Sequence, residues 1–391
     1  MKICAIVAEF NPFHNGHKHL IDKIRKKGFT HIIAIMSGNY VQRGEPAIIS
    51  KKARTKIALK NGIDLVVEIP CVWSISTAEK YAQAGVQIAN SLGCVETLAF
   101  GSECGDIKRL KKITKTLKSE DFSAYLKNHL SKGITFAKAR EIALSKLISE
   151  PDVIEQIKSP NNILGIEYLK SIDKFSSKLT PLTIERAMSG NRLTSASKIR
   201  EFIKAESESY EKYVPRSSFE IISREIQNFR APCKLESAEQ IILYKLRTMN
   251  KSDILNLPDI NEGLENRILS SVKNTLSLND LLFSIKTKRY TLARIKRIIL
   301  SAYLGITNKL QDKVVPYIRI LGANNNGLEI LKTAKSTTAL PIVSRYADVL
   351  KLDLNSQEIF DAECRASDLY SLFSPKISSC GKEQTFRIVK I

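Results

Sequence analysis

The sequence predicts an α/β fold: a parallel, doubly wound sheet over residues 1–204, followed by a mainly α-helical region over 205–391. Three observations carry this. Short apolar runs alternate with helical patterns through the first half, as strands and crossover helices do. The first run leads through a tight glycine-bearing turn, His14-Asn15-Gly16-His17, straight into a helical pattern. Near Ala205 the composition changes, and helical patterns dominate beyond it. A chain of 391 residues also exceeds one typical core, so two domains are expected, cut at about residue 204.

Taken in order, strands are expected at Ile3–Ala8, Ile32–Met36, Leu65–Ile69 and Thr97–Phe100, each rich in β-branched or aliphatic residues. Between them lie helical patterns at His17–Lys27, Lys51–Asn61 and Thr77–Leu92. Lys108–Lys118 holds six basic residues and no acidic one. Pro160-Asn161-Asn162 opens a further helix, because proline suits a first helical turn. Leu182-Thr183-Ile184 reads as a short strand, and Ser195–Ile203 as a helix with a serine cap. Glu206 to Tyr210 reads as a linker. Helices follow at Phe219–Phe229, Ser237–Met249 and Leu292–Leu304.

Strand, glycine turn, helix start is where an open α/β sheet places a nucleotide phosphate. Gly16 permits close backbone approach, and the two flanking imidazoles add donors. Such donors can stabilise charge growing on the equatorial oxygens of an α-phosphorus. Ser195 and Ser197 open a helix that carries Lys198 and Arg200, a fit for a departing pyrophosphate. Met36 to Pro46 is a polar loop after the second strand, beside the first turn. Phe100-Gly101-Ser102-Glu103 repeats that theme, with Gly101 set to pack against adenine or ribose. Trp73 is expected in the core. Glu9 and Asp106 are weaker candidates for orienting magnesium or a histidine.

The balance of 61 Lys+Arg against 40 Asp+Glu gives a net charge of +21 and points to a polyanion, RNA or DNA first. Lys286 to Arg319 carries nine basic residues and one acidic, Asp312. Arg294 and Arg297, near Tyr290, are expected to face phosphates there. Lys108–Lys118 is a second candidate. The seven cysteines are scattered without metal-like spacing, which fits a reducing compartment. No metal site is expected. The amino terminus does not read as a signal peptide, and no apolar run is long enough to span a membrane. A cytoplasmic location is expected, with no membrane or protein partner. No P-loop suggests γ-phosphate transfer, and no zinc pattern suggests a deaminase.

His14-Asn15-Gly16-His17 with Ser195-Ala196-Ser197-Lys198-Ile199-Arg200 resembles the HxGH nucleotidyltransferase superfamily. Val7 to His17, Met36 to Pro46, Phe100 to Glu103 and Asn161 to Leu169, in this order, resemble the bacterial tRNA(Met) cytidine acetate ligase family. The resemblance runs through the first part and, less distinctly, the helical remainder. It implies a Rossmann-like HxGH nucleotidyltransferase domain followed by a helical tRNA-binding domain. It implies that ATP and acetate give acetyl-adenylate, and that the acetyl group passes to N4 of the wobble cytidine of elongator tRNA(Met). ATP, with magnesium on the nucleotide, should then meet Val7, Ala8, Glu9, Phe10, Asn11, Pro12, Phe13, His14, Asn15, Gly16, His17, Lys18, His19 and Leu20, then Gly101, Asn162 and Arg186. Catalytic roles are expected for His14, His17, Lys18, Ser197 and Arg200. The serine motif departs from the superfamily's Ile-Ser-Ser/Thr-Thr form, which leaves Ser195 and Ser197 as alternatives for phosphate contact. The competing readings are an adenylyltransferase acting on a small phosphate ester and an RNA-binding protein with a vestigial nucleotide fold.

Overall fold

The computed structural model describes residues 1–186, 193–261 and 263–391. The sheet strands are β1 (Ile3–Ala8), β2 (His31–Ser37), β3 (Leu65–Ile69), β4 (Thr97–Ser102), β5 (Thr180–Glu185), β6 (Ile318–Ala323), β7 (Ile342–Val343) and β8 (Val389–Lys390). Their order is β8-β6-β3-β2-β1-β4-β5, with β7 also on β6. All neighbours are parallel except β3 and β6. Ile3 pairs with His31 and Ala8 with Met36, so β1 and β2 end together.

The helices used below are α1 (Asn15–Lys26), α2 (Lys51–Lys60), α3 (Ala78–Ser91), α4 (Ile107–Leu117), α5 (Pro160–Lys174), α6 (Ala196–Lys204), α7 (Leu292–Leu304), α8 (Asn325–Thr337) and α9 (Leu354–Tyr370). Their starts follow local chemistry. Ser50, Thr77, Asp106, Ser195 and Thr291 each accept a backbone N–H in the first turn of the helix that follows. Asp106 is thereby spent as a cap, with Oδ1 2.8 Å from the Lys108 nitrogen.

Successive strand residues point to opposite faces. Ile3 and Ala5 join the core under α3 and α5, whereas Cys4 and Ile6 join the core under α1, α2 and α6. Both faces are buried, which is why these strands read as continuous apolar runs rather than alternating ones. Trp73 lies in the first core, 3% exposed, as expected. The chain leaves β1 toward β2 and β3 on one side, then returns to β4 and β5 on the other. The crevice beyond the carboxyl ends of β1 and β4 is the switch point where such sheets bind ligands.

The sheet takes strands from both sides of residue 204. β6, β7 and β8 all come from the later part, and β6 pairs with β3 from Leu65 to Glu68. The later part is rich in helix, yet it completes the sheet of the earlier one. Sequence pattern missed this because β7 and β8 are two residues each and β6 alone gives a weak signal.

Candidate active site

The turn after β1 is built to hold two imidazoles. His14 is the N-cap of α1, and its Nδ1 accepts the Gly16 N–H at 3.0 Å. The His14 N–H in turn donates to His17 Nδ1 at 3.2 Å. The two rings stack with centroids 3.8 Å apart. Both Nδ1 atoms are acceptors, so each neutral ring carries its proton on Nε2. Burial, with Arg186 and Arg200 adding to it, pulls His14 down to about 3. Burial, then His14 and Arg186, depresses His17 in the same direction. Both imidazoles are thus neutral Nε2–H donors at physiological pH.

Phe10 and Phe13 are fully buried. Their rings sit 5.0 and 5.5 Å from the His17 ring and wedge it in place. Asn11 is also structural in part: its Oδ1 accepts the Ile48 N–H at 2.8 Å, and its carbonyl accepts from Arg200 Nη1 at 2.8 Å. Arg200 Nη2 donates to Ser197 Oγ at 3.2 Å. One guanidinium therefore joins the histidine turn to α6. Ser195 Oγ is used as the helix cap for the Lys198 N–H. That leaves Ser197, beside Arg200, as the hydroxyl not spent on a cap.

Gly101 and Arg186 meet at the ends of β4 and β5. A Cβ at Gly101 would lie 3.3 Å from Arg186 Cγ. Asn162 is fully buried and committed: its Oδ1 accepts from the Glu103 and Cys104 nitrogens, and its Nδ2 donates to Gln156. It fixes the loop after β4. Val7 and Ala8 are half-buried at the end of β1. Asn15 Nδ2 donates to the Lys212 carbonyl at 3.1 Å. Lys18 points elsewhere, into an ion pair with Asp22 one turn along α1. His19 and Leu20 follow on the same helix, half-buried.

Two features escaped the sequence. Arg54 on α2 is fully buried and donates to the carbonyls of Glu9 (2.6 Å), Ser37 (3.0 Å), Gly38 and Ile49 (3.2 Å). It pins the ends of β1 and β2 beside the histidine turn. Glu9 Oε1 accepts the Gln42 N–H at 2.8 Å and so ties β1 to the polar loop; burial pushes its carboxyl up. The second feature is a buried cluster. Lys51 Nζ lies 2.6 Å from Glu68, 3.0 Å from Glu363 and 2.7 Å from Glu383. Arg319 reaches Glu383 at 3.4 Å. An arginine or lysine in a helical pattern looks solvent-facing until its tertiary neighbours are known.

The expectation for α7 is corrected. Arg294 donates to the Asp259 carbonyl at 2.8 Å and pairs with its carboxylate at 3.3 Å. Arg297 pairs with the same carboxylate at 3.2 Å. Their side chains are 17% and 12% exposed. They hold α7 to the Asp259 loop rather than lying open on a solvated face. Sequence separation of about 35 residues hid their partner.

An imidazole pair on a glycine turn, opposed by two arginines at the switch point of a parallel sheet, defines a nucleotide-handling transferase of the HxGH kind. Residues 1–385 match the family model described as HIGH Nucleotidyl Transferase. The chain is 39% identical over 406 residues to the tRNA(Met) cytidine acetate ligase of Thermoanaerobacter sp. (strain X514), covering 100% of both. It is 36% identical over 413 residues to that of Acetivibrio thermocellus, again covering 100% of both. The crystal structure of Thermotoga maritima TmcAL bound with alpha-thio ATP superposes with a TM-score of 0.95 at 33% identity, covering all of each chain. The chain belongs to the tRNA(Met) cytidine acetate ligase family, within the HIGH nucleotidyl transferases.

Proposed function

We propose that this enzyme joins acetate to AMP and then passes the acetyl group to N4 of the wobble cytidine of elongator tRNA(Met). The observation that carries the reading is the neutral His14–His17 pair beside Arg186 and Arg200, in a chain similar over its full length to ligases of that name. Acetate oxygen forms a bond to the α-phosphorus, and the bond to pyrophosphate breaks. The Nε2–H groups of His14 and His17 donate to the oxygens where charge grows. Arg200, with Ser197, meets the departing pyrophosphate, while Arg186 lies on the Gly101 side. In the second step N4 bonds to the acetyl carbon, AMP leaves with the electron pair, and the N4 proton is released.

Neutral donors suit this chemistry because they strengthen as charge develops and offer no competing nucleophile. Asn162 and Phe10 support the nucleotide pocket indirectly, through the loops they hold. Lys18 would need to leave Asp22 to act. Among the described residues no group of three His, Cys, Asp or Glu stands ready for a metal ion. Magnesium would enter on the nucleotide, with phosphate oxygens and water as its ligands. No described helix is long and apolar enough to cross a membrane, and a cytoplasmic setting suits a tRNA substrate.

The test is incubation with ATP, magnesium, labelled acetate and bulk tRNA, followed by nucleoside digestion. Label in N4-acetylcytidine is expected. Product that requires a phosphate ester instead of acetate would replace this reading with an adenylyltransferase.

A further inference from the structure

The ion pairs of α4 sort its basic residues into two sets. Arg109 pairs with Asp106 and Asp152, and Lys112 with Glu150. Lys118, at the helix end, pairs with Asp173 at 3.1 Å. Lys108, Lys111 and Lys115 are exposed and have no acidic partner among the described residues. Spacings of four and three residues place Lys111, Lys115 and Lys118 on one helix face. That face borders an open cavity of about 420 Å³, lined by these three lysines with Thr114, and floored by Leu169, Ile172 and Pro181. The volume lies in the range of small-ligand sites. Among the described residues that line it, the one acid is Asp173.

The position is as informative as the charge. α4 begins just after the loop that Asn162 fixes, at the catalytic edge, and runs back along β5. Pro181 is near the amino end of β5 and Arg186 is just past its carboxyl end. At about 3.3 Å per strand residue they are roughly 16 Å apart. Lys108 to Lys118 covers about 15 Å of helix. A line of cations therefore leads from the nucleotide crevice down the flank of the edge strand.

We propose that this lysine-lined cavity is a contact site for the sugar–phosphate backbone of the tRNA. Lys111 and Lys115 meet phosphate, and the apolar floor takes a ribose or base. A polyanion whose reacting base sits at the catalytic edge must continue past it, and this flank offers unneutralised charge, whereas the arginines of α7 are already paired. The proposal rests on the tRNA-acetylating reading above.

The test is Lys111→Glu with Lys115→Glu in the full chain. Three quantities are read: KM for tRNA in acetyl transfer, the dependence of tRNA affinity on salt, and acetate-dependent ATP–pyrophosphate exchange. KM should rise on the order of tenfold, and the log–log salt slope should fall by about 1.5 to 2, as two phosphate contacts are lost. Exchange should be unchanged, since neither lysine touches the crevice. An unchanged slope and KM would overturn the proposal. If exchange also drops, Lys111→Gln with Lys115→Gln replaces the charge-reversed pair, and the slope must still fall. Inorganic polyphosphate is titrated in parallel: weakened polyphosphate binding with intact tRNA binding would overturn the proposal in favour of a free polyanion. The slope is read whether or not acetyl is transferred, so failure of the site and failure of the reaction are separable.

Discussion

At the scale of single residues, the paired histidines act through neutrality. Removing one Nε2–H donor should cost about 10²- to 10³-fold in the rate of adenylate formation, by analogy with other preorganised donors. His17→Ala is therefore expected to slow acetate-dependent exchange by about that factor while leaving tRNA affinity near wild type. Loss of both would mean that the turn has unfolded. The same burial links stability to pH. The unfolded chain binds a proton on His14 near 6.5, which the folded chain refuses down to about 3. The unfolded state thus holds more protons in that interval. Stability from this residue is whole above 6.5 and is lost as pH falls toward 3, and His17 adds in the same direction. The urea midpoint should drop between pH 7.5 and pH 5, and His14→Asn should shrink that drop; an equal drop in the variant would remove His14 as its source. The spacing of the two histidines was legible from sequence. Their tautomer and charge were not: the tautomer is set by the Gly16 and His14 backbone N–H groups meeting the two Nδ1 atoms, and the charge by burial with Arg186 and Arg200 brought near.

At the scale of elements, the buried cluster bolts α2 and β3 to α9 and the carboxyl-terminal segment. Its carboxylates are not equivalent. Burial and the neighbouring Glu363 push the Glu68 carboxyl well above its ordinary value, against the pull of Lys51. Burial works against the Glu363 carboxylate too, but Lys51 and the Cys71 N–H outweigh it and hold it ionised. Glu68→Gln should therefore change stability by less than about 1 kcal/mol, whereas Glu363→Gln should cost about 3 kcal/mol by leaving Lys51 short of a charge. Chemical denaturation of both variants checks this. Equal losses would show that Lys51 depends on both carboxylates alike. Every member of this cluster was visible as a letter, but none was marked as buried, since charged residues usually stay wet.

At the scale of the molecule, the two parts are interdependent. β6 covers the edge of β3, with Val66 opposite Gly322 and Val67 opposite Ile320. Thr337 Oγ1 donates to the Leu92 carbonyl at 2.8 Å, and the Asn324 N–H to the Asp64 carbonyl at 3.0 Å. A fragment of residues 1–204 would expose the apolar edge of β3 and strand Lys51 and Glu68 without Glu363 and Glu383. It should fail to give a soluble protein that binds ATP. A folded, ATP-binding fragment would restore residue 204 as a true domain boundary. Binding of tRNA across both parts would follow from the shared sheet, which fixes the α4 flank and the later helices in one frame.

The sequence by itself determined the strand–turn–helix start and the five parallel strands from β1 to β5. These follow from local physics: burial on both sheet faces makes strands read as apolar runs, and caps and glycines punctuate them. Tertiary structure alone decided the return of β6 to β8 to the sheet, the pairing of Arg294 and Arg297 with Asp259, and the burial of Arg54 and Lys51. Those outcomes rest on partners tens to hundreds of residues away, and no periodicity along the chain encodes which distant carboxylate or carbonyl a given cation will meet.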